Sequence, residues 1–173
     1  MSFSQLARLS CLLILVLSVF LNESVCQAAN CNDCCNNSTY TLINEPRRST
    51  KSVWKSGEPV LCDRGLQWGW YRFKTSADIE DKMPEKAPPE FHCGTHDPIW
   101  LQDRHPTVAE GNVVRKACIN SFGVQCDVSF NINVKNCSSY FVYYLRPPIY
   151  CAVAYCAGEK SVLCFNFVCS ELL

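Results

Sequence analysis

The clearest pattern along the chain is a strict alternation from Cys126 to Lys135. Cys126, Val128, Phe130, Ile132 and Val134 fall on one side, and Asp127, Ser129, Asn131, Asn133 and Lys135 on the other. A period of two predicts a β-strand with one buried and one wet face, as in an antiparallel sheet. The turn-forming Asn136-Cys137-Ser138-Ser139 leads into the aromatic and β-branched run Tyr140–Leu145, so the two segments predict a hairpin. Pro147-Pro148 ends it, because proline cannot donate to a ladder.

Upstream, Asn112–Cys118 predicts a strand and Asn120–Gly123 a turn. In Leu66–Phe73, Trp68, Trp70 and Arg72 alternate with Gly69, Tyr71 and Phe73, which predicts a central strand with aromatic rings on both faces, read as core. Asp78–Pro89, acidic and proline-bearing, predicts a loop without strand or helix. A short helix fits between Thr107 and Asn112, and Leu163, Phe165 and Phe167 predict a short strand within Ser161–Leu173. The expected fold class is all-β, with small antiparallel sheets and long loops.

Cysteine content changes the picture. Fourteen cysteines in 173 residues point to an oxidising compartment and a disulfide-rich domain. The N-terminus agrees: Arg8 precedes the apolar run Leu9–Leu21, and Ser24 and Cys26 suit a signal peptidase, so 1–26 reads as a signal peptide. Ala28 or Ala29 is the alternative last leader residue. The apolar run is shorter than the roughly 20 residues that cross a bilayer, so no membrane span is expected once the leader is removed. The expected localisation is secreted, extracellular. Lys and Arg total 16, as do Asp and Glu, so net charge is zero and nothing steers toward nucleic acid.

Residues 27–34 begin a cysteine-rich segment, Cys31-Asn32-Asp33-Cys34-Cys35, that predicts a stapled loop. Asn36 and Asn37 each head a sequon and are the candidate glycosylation sites; Asn136-Cys137-Ser138 is formally a third. The basic pair Arg47-Arg48, followed by Ser49-Thr50-Lys51-Ser52, reads as a solvated loop.

Metal and catalytic readings have little support. Cys31-x-x-Cys34 has no second such pair. Cys93-x-x-His96, with His92 and His105 near, has ligand-like spacing, but a secreted cysteine among many thiols is usually oxidised. Asp78, Glu80 and Asp81 lack the spacing of a calcium loop. Asp103 and His105 lack a nucleophile elbow. No catalytic residue, metal ligand or cofactor is expected.

Several motifs recur in one order: Trp70-Tyr71-Arg72-Phe73; Cys93-Gly94-Thr95 through Pro98, Trp100 and Leu101; His105-Pro106-Thr107 with Glu110-Gly111; Val134-Lys135-Asn136-Cys137; and Tyr143 through Leu145 to Pro147-Pro148. Over Cys35–Cys156 the chain resembles the eight-cysteine domain of the uromodulin type, shared with pancreatic secretory granule membrane glycoproteins. The resemblance implies a domain over 35–158 and the pairs Cys35–Cys137, Cys62–Cys151, Cys93–Cys156 and Cys118–Cys126. Counting alone leaves 105 connectivities open. Where the family usually has two further cysteines, this chain has Ala87 and Gln125. Cys31, Cys34, Cys164 and Cys169 remain; they would tie the 159–173 tail to the N-terminal loop, or Cys164 and Cys169 would pair locally.

The resemblance implies a non-catalytic module. The expected function is a secreted disulfide-rich glycoprotein module for recognition or scaffolding, with an extracellular protein or glycan as ligand and glycan-related or host-defence binding as its setting. The alternative is a structural matrix or mucus component joined through a spare thiol.

Overall fold

The computed structural model describes residues 31, 33–76 and 79–160. The expected leader over 1–26 and the expected strand, Cys164 and Cys169 in the tail lie outside the described residues. Nine strands are described: β1 (Thr41–Asn44), β2 (Gly69–Ser76), β3 (Ile79–Lys82), β4 (Asp97–Leu101), β5 (Asn112–Ser121), β6 (Val124–Asn136), β7 (Phe141–Leu145), β8 (Val153–Tyr155) and β9 (Glu159–Lys160). They form one sheet in the order β8-β4-β5-β6-β7-β2-β3-β9, with β1 added parallel to β2. Helical structure among the described residues is limited to three 3-10 turns, Pro46–Arg48, Asp63–Gly65 and Val108–Glu110. The fold is all-β.

The alternating segment is the spine of the sheet. β6 pairs antiparallel with β5 from Asn112↔Lys135 to Ile119↔Val128 and with β7 from Asn133↔Tyr144 to Asn136↔Phe141. Its apolar set turns inward, with Ile132 and Val134 buried against Tyr143, Leu145 and Phe73. The β5–β6 turn is tighter than the expected Asn120–Gly123. Only Phe122 and Gly123 lie in it, with φ of 53° and 75°, the two successive positive values that suit a two-residue hairpin.

Three sequence expectations fail. β3 forms inside the expected loop Asp78–Pro89, because its polar residues are clamped between β2 and β9, and pairing context outweighs β-propensity. β2 begins at Gly69 rather than Leu66, leaving Trp68 before the strand and 46% exposed rather than in the core. Tyr71 and Phe73 do face inward, at 7% and 0% exposure. Finally, Arg48 is not solvated: it is buried beside Asp63, as described below.

Pro98 lies within β4, a strand with neighbours on both sides. The two partners overlap little. β8 pairs with Asp97, Pro98 and Ile99, and β5 with Ile99, Trp100 and Leu101. Proline therefore sits where β4 has a partner on one side only, the edge-like setting that tolerates a missing donor.

β8 is a sheet edge, yet Val153, Ala154 and Tyr155 are fully buried. Cys156 N–H donates to Ile99 on the β4 side (2.9 Å), so the N–H and C=O of Tyr155 point away from the sheet. Asp63 Oδ2 accepts from Tyr155 N–H at 2.8 Å, and Arg48 Nη1 donates to the Tyr155 carbonyl at 3.0 Å. Arg48 and Asp63 join each other in a two-pronged ion pair at 2.7 and 2.6 Å. The chain after Arg48 passes so close to Gly158 that a Cβ there would meet Ser49 Cα at 3.2 Å, and Gly158 has φ of +112°. No side chain larger than hydrogen fits that crossing without displacing backbone.

A second polar cluster lies inside. His105 Nδ1–H donates to Glu85 Oε1 (2.5 Å), the Tyr143 hydroxyl donates to His105 Nε2 (2.8 Å), and Met83 N–H donates to that hydroxyl (3.1 Å). A carboxylate can only accept, which fixes this tautomer. Burial disfavours the imidazolium more than Glu85 supports it, lowering the His105 pKa to about 4. Burial would raise the Glu85 carboxyl, but hydrogen bonds from the His105 side chain and backbone prevail and bring it to about 2.

Disulfides brace the periphery. Cys35–Cys137, Cys62–Cys151 and Cys93–Cys156 join residues 102, 89 and 63 apart, and Cys118–Cys126 staples the tip of the β5–β6 hairpin. Cys31 and Cys34 are also disulfide-bonded. On a chain-entropy argument each long-range bond stabilises by about 4 to 5 kcal/mol before strain is counted.

The buried polar groups make two predictions. Arg48→Met leaves the Asp63 carboxylate buried without its counter-charge and the Tyr155 carbonyl without a donor, and should cost about 3 to 5 kcal/mol in urea unfolding with disulfides intact. Arg48→Met with Asp63→Leu should recover part of that; a single-variant cost under about 1 kcal/mol would refute the capping role.

The other concerns acid. A histidine whose folded pKa lies below its unfolded one contributes stability that is full above about 6.5 and falls as pH drops toward 4. Glu85 extends the loss, since its stabilisation is full above the ordinary carboxyl value of 4.5 and falls as pH drops toward about 2. His105→Gln should flatten the stability profile between pH 4 and 6.5, and an unchanged slope would count against this account.

Candidate recognition surface

The outward face of the sheet carries the residues that the core leaves out. Register places Trp70, Tyr144, Asn133 and Val114 in one row across β2, β7, β6 and β5. Lys135 and Val142 pair in the next row, where Val142 is nonetheless fully buried, and Arg72 pairs with Leu42 on β1. The Trp70 and Tyr144 rings meet edge to face at 5.6 Å, and Trp68 stands 6.3 Å from Tyr144. Two tryptophans and a tyrosine thus cluster on the side opposite Phe73 and Tyr143. The alternation in Leu66–Phe73 already divided the rings into two sets; it did not say which set meets solvent.

Arg72 is held firmly within this face. Its guanidinium lies 3.8 Å from the Tyr140 ring centroid, and Nη1 donates to the Tyr40 hydroxyl at 2.8 Å. Beside it a hollow of about 250 Å³ is lined by Asn37, Tyr40, Leu42, Arg72 and Lys74. Along β2, β6 and β7 the charged outward side chains of this region are Arg72, Lys74 and Lys135. The nearest acid of the β6 alternation, Asp127, lies at the far end of the strand, accepting from Ser121 at 2.9 Å.

The glycosylation candidates sit on the rim of the hollow. Asn36 and Asn37 are both exposed in the turn before β1. The side-chain amide nitrogen of Asn36, the atom that would carry sugar, donates to Asp33 at 3.2 Å, whereas Asn37 is held through its oxygen, which accepts from Tyr40 at 2.5 Å. Asn136 is less open: its amide nitrogen donates to the Pro106 carbonyl at 3.0 Å, and Cys137 is in a disulfide.

A different surface forms at the hairpin tip. Phe122 is 86% exposed at a left-handed position. Glu90 Oε1 accepts from Gly123 N–H at 2.5 Å, and the next residue, Phe91, is also left-handed at φ 63°. Phe91 in turn stacks on Trp54 at 6.1 Å. Sequence reading passed over both phenylalanines; the only signal was Phe-Gly at a turn.

The chemical candidates do not assemble. Both ring nitrogens of His105 are engaged by Glu85 and Tyr143, while Asp103 instead accepts from Lys116 N–H at 2.7 Å. Cys93 is bonded to Cys156. Among the described residues no three histidine, cysteine or acidic side chains converge as a metal site would require.

Comparison with known proteins gives the frame for these surfaces. The chain is 38% identical over 130 residues to pancreatic secretory granule membrane major glycoprotein GP2 of Canis lupus familiaris, covering 75% of this chain and 24% of that protein. To uromodulin of Mus musculus it is 38% identical over 133 residues, 76% of this chain and 19% of the relative. The Rattus norvegicus GP2 glycoprotein is 36% identical over 138 residues, again 24% of its length. The chain therefore spans about a quarter or less of the relatives it matches. The model of the uromodulin-like eight-cysteine domain matches residues 71–157, which run from the second strand of the sheet past Cys156, and the chain belongs to the family that carries this domain.

Proposed function

We propose that the chain is a secreted, non-enzymatic extracellular recognition module that binds saccharide on the outward face of its sheet. The observation that carries this is the placement of Trp68, Trp70 and Tyr144 on the solvent side, where flat rings can stack on the apolar face of a sugar. The neighbouring Asn133 supplies an amide for hydroxyl groups, and the long-range disulfides hold the platform rigid, which lowers the entropy cost of binding. The relatives are named as glycoproteins, one of them of a secretory granule membrane, which suits an extracellular setting.

The matrix or mucus alternative requires an available thiol. Among the described residues there are no free cysteines. A second reading, docking of a protein partner, is favoured by Phe122, since an exposed aromatic held in a left-handed turn costs energy that binding can return. Its acidic neighbour Glu90 would suit an apolar pocket with a cationic rim.

A glycan array probed with the secreted chain tests the reading. Trp68→Ala should cut saccharide binding about tenfold or more, and Phe122→Ser should leave it unchanged. The reverse outcome would favour protein docking. Migration as disulfide-linked multimers without reductant would favour the matrix role.

Carriage of sugar is a separate proposal: one N-glycan, on the pair Asn36 and Asn37. Asn37→Gln should abolish the enzymatic deglycosylation shift, because the Asn36 amide nitrogen is already bonded to Asp33. A shift that survives mutation of both would place the glycan at Asn136.

A further inference from the structure

We infer that the tip of the β5–β6 hairpin docks a protein partner that offers an apolar pocket rimmed by lysine or arginine side chains. The inference is independent of the saccharide reading; it rests on the docking role that Phe122 favours, and adds the extent of the surface and the charge of the partner. Phe122 and Gly123 hold the two central positions of a tight turn, with φ of 53° and 75°. Asparagine or aspartate before glycine suits that geometry, and a bulky side chain at positive φ does not. Phe122 stands there nonetheless, 86% exposed, so neither the turn nor the core accounts for it.

Other apolar side chains share the tip. Val124 pairs with Ser121 beside the turn and is 50% exposed. β4 begins two residues before Ile99, the partner of Ile119, and this antiparallel register brings Asp97 level with Ser121. Tyr150 stands against both Asp97 and Ser121, and Ile149 before it is 78% exposed.

The charge of the surface selects the partner. Three carboxylates surround the tip: Glu90 accepts from Gly123 N–H at 2.5 Å, Asp127 accepts from the Ser121 hydroxyl at 2.9 Å, and Asp97 lies near both. Burial is the first cause that holds the Asp97 carboxyl above its ordinary value, and the Glu90 and Asp127 charges add to it. His96 opposes them with a smaller effect than that of Glu90, and Lys86 is exposed four residues before Glu90. Among the described residues, none of the three acids is held in an ion pair. A cationic rim would therefore gain from them without breaking an existing pair, whereas an anionic membrane would be repelled.

The test uses the full chain and four cyclic peptides, built from leucine with arginine, leucine with serine, leucine with glutamate, and serine with arginine. The leucine–arginine peptide should bind at least about tenfold more tightly than the other three, and its advantage should shrink as salt rises. Phe122→Asn should lower that affinity about tenfold or more while leaving the urea midpoint equal or higher, because asparagine suits the left-handed position. Glu90→Gln with Asp127→Asn keeps the acceptors for Gly123 and Ser121 and should bring the leucine–arginine peptide down to the leucine–serine level. Trp68→Ala should change none of these affinities.

Equal binding of the leucine–serine and leucine–arginine peptides, lost in Phe122→Asn, overturns the inferred charge and leaves the docking role standing. Binding of the serine–arginine peptide as tight as that of the leucine–arginine one reduces the tip to ion exchange and overturns the inference. A lower urea midpoint for Phe122→Asn would show that the ring serves the fold, and binding of every peptide unchanged by that substitution removes the docking role itself. Adsorption to phosphatidylcholine–phosphatidylserine vesicles, abolished by Phe122→Asn, overturns the inference in favour of a membrane.

Discussion

The buried pair of Arg48 and Asp63 is the constraint on which the edge of the sheet depends. A three-residue strand such as β8 has few ladder bonds of its own, and an open edge would leave the Tyr155 N–H and C=O facing an apolar interior. Asp63 and Arg48 bond both groups and each other, so they act as a substitute strand built from two side chains. Four remote segments meet there: the turn at Pro46–Arg48, the turn at Asp63–Gly65, β8 and the chain beyond it, where Ala157 N–H donates to the Arg48 carbonyl at 2.9 Å. Such a pair repays its desolvation only when its remaining hydrogen-bonding groups are satisfied. Here one atom, Arg48 Nε, is buried without a partner.

Disulfides surround this edge rather than replace it. Cys62 immediately precedes Asp63, and Cys156 immediately follows Tyr155, so the bonds to Cys151 and Cys93 anchor both sides of the ion pair. Cross-links lower the entropy of the unfolded chain, whereas the ion pair selects one register for a strand too short to select its own. The His105, Glu85 and Tyr143 cluster does similar work elsewhere. It fastens the irregular segment around Met83 to β7, using a hydroxyl and an imidazole where no strand runs.

What the sequence disclosed depended on how local the cause was. The alternation of β6 and the run Tyr140–Leu145 announced their hairpin because period and turn chemistry lie within one stretch of chain. β3 was hidden, since Glu80, Asp81 and Lys82 have no strand preference and form one only between β2 and β9. Arg48 was hidden for the same reason: its partner is 15 residues away and its carbonyl target 107 away. For the site, residue types were legible and faces were not. Trp68 and Trp70 read as core because large rings usually are, yet alternation sent Tyr71 and Phe73 to the main core and left Trp68 46% exposed on the other, only partly covered side.

The solvent-side rings carry an energetic argument of their own. Burying a tryptophan gains stability roughly in proportion to the apolar area removed from water, so leaving Trp68 46% exposed forgoes part of that gain. The neighbouring strand positions hold lysine and asparagine, residues that cost nothing when wet, which shows that the face itself tolerates ordinary polar side chains. Folding alone therefore gives no reason for three clustered rings on this side. Flat apolar rings over a covalently braced sheet lose little conformational entropy on contact, which is the physical basis of the recognition role proposed for this face.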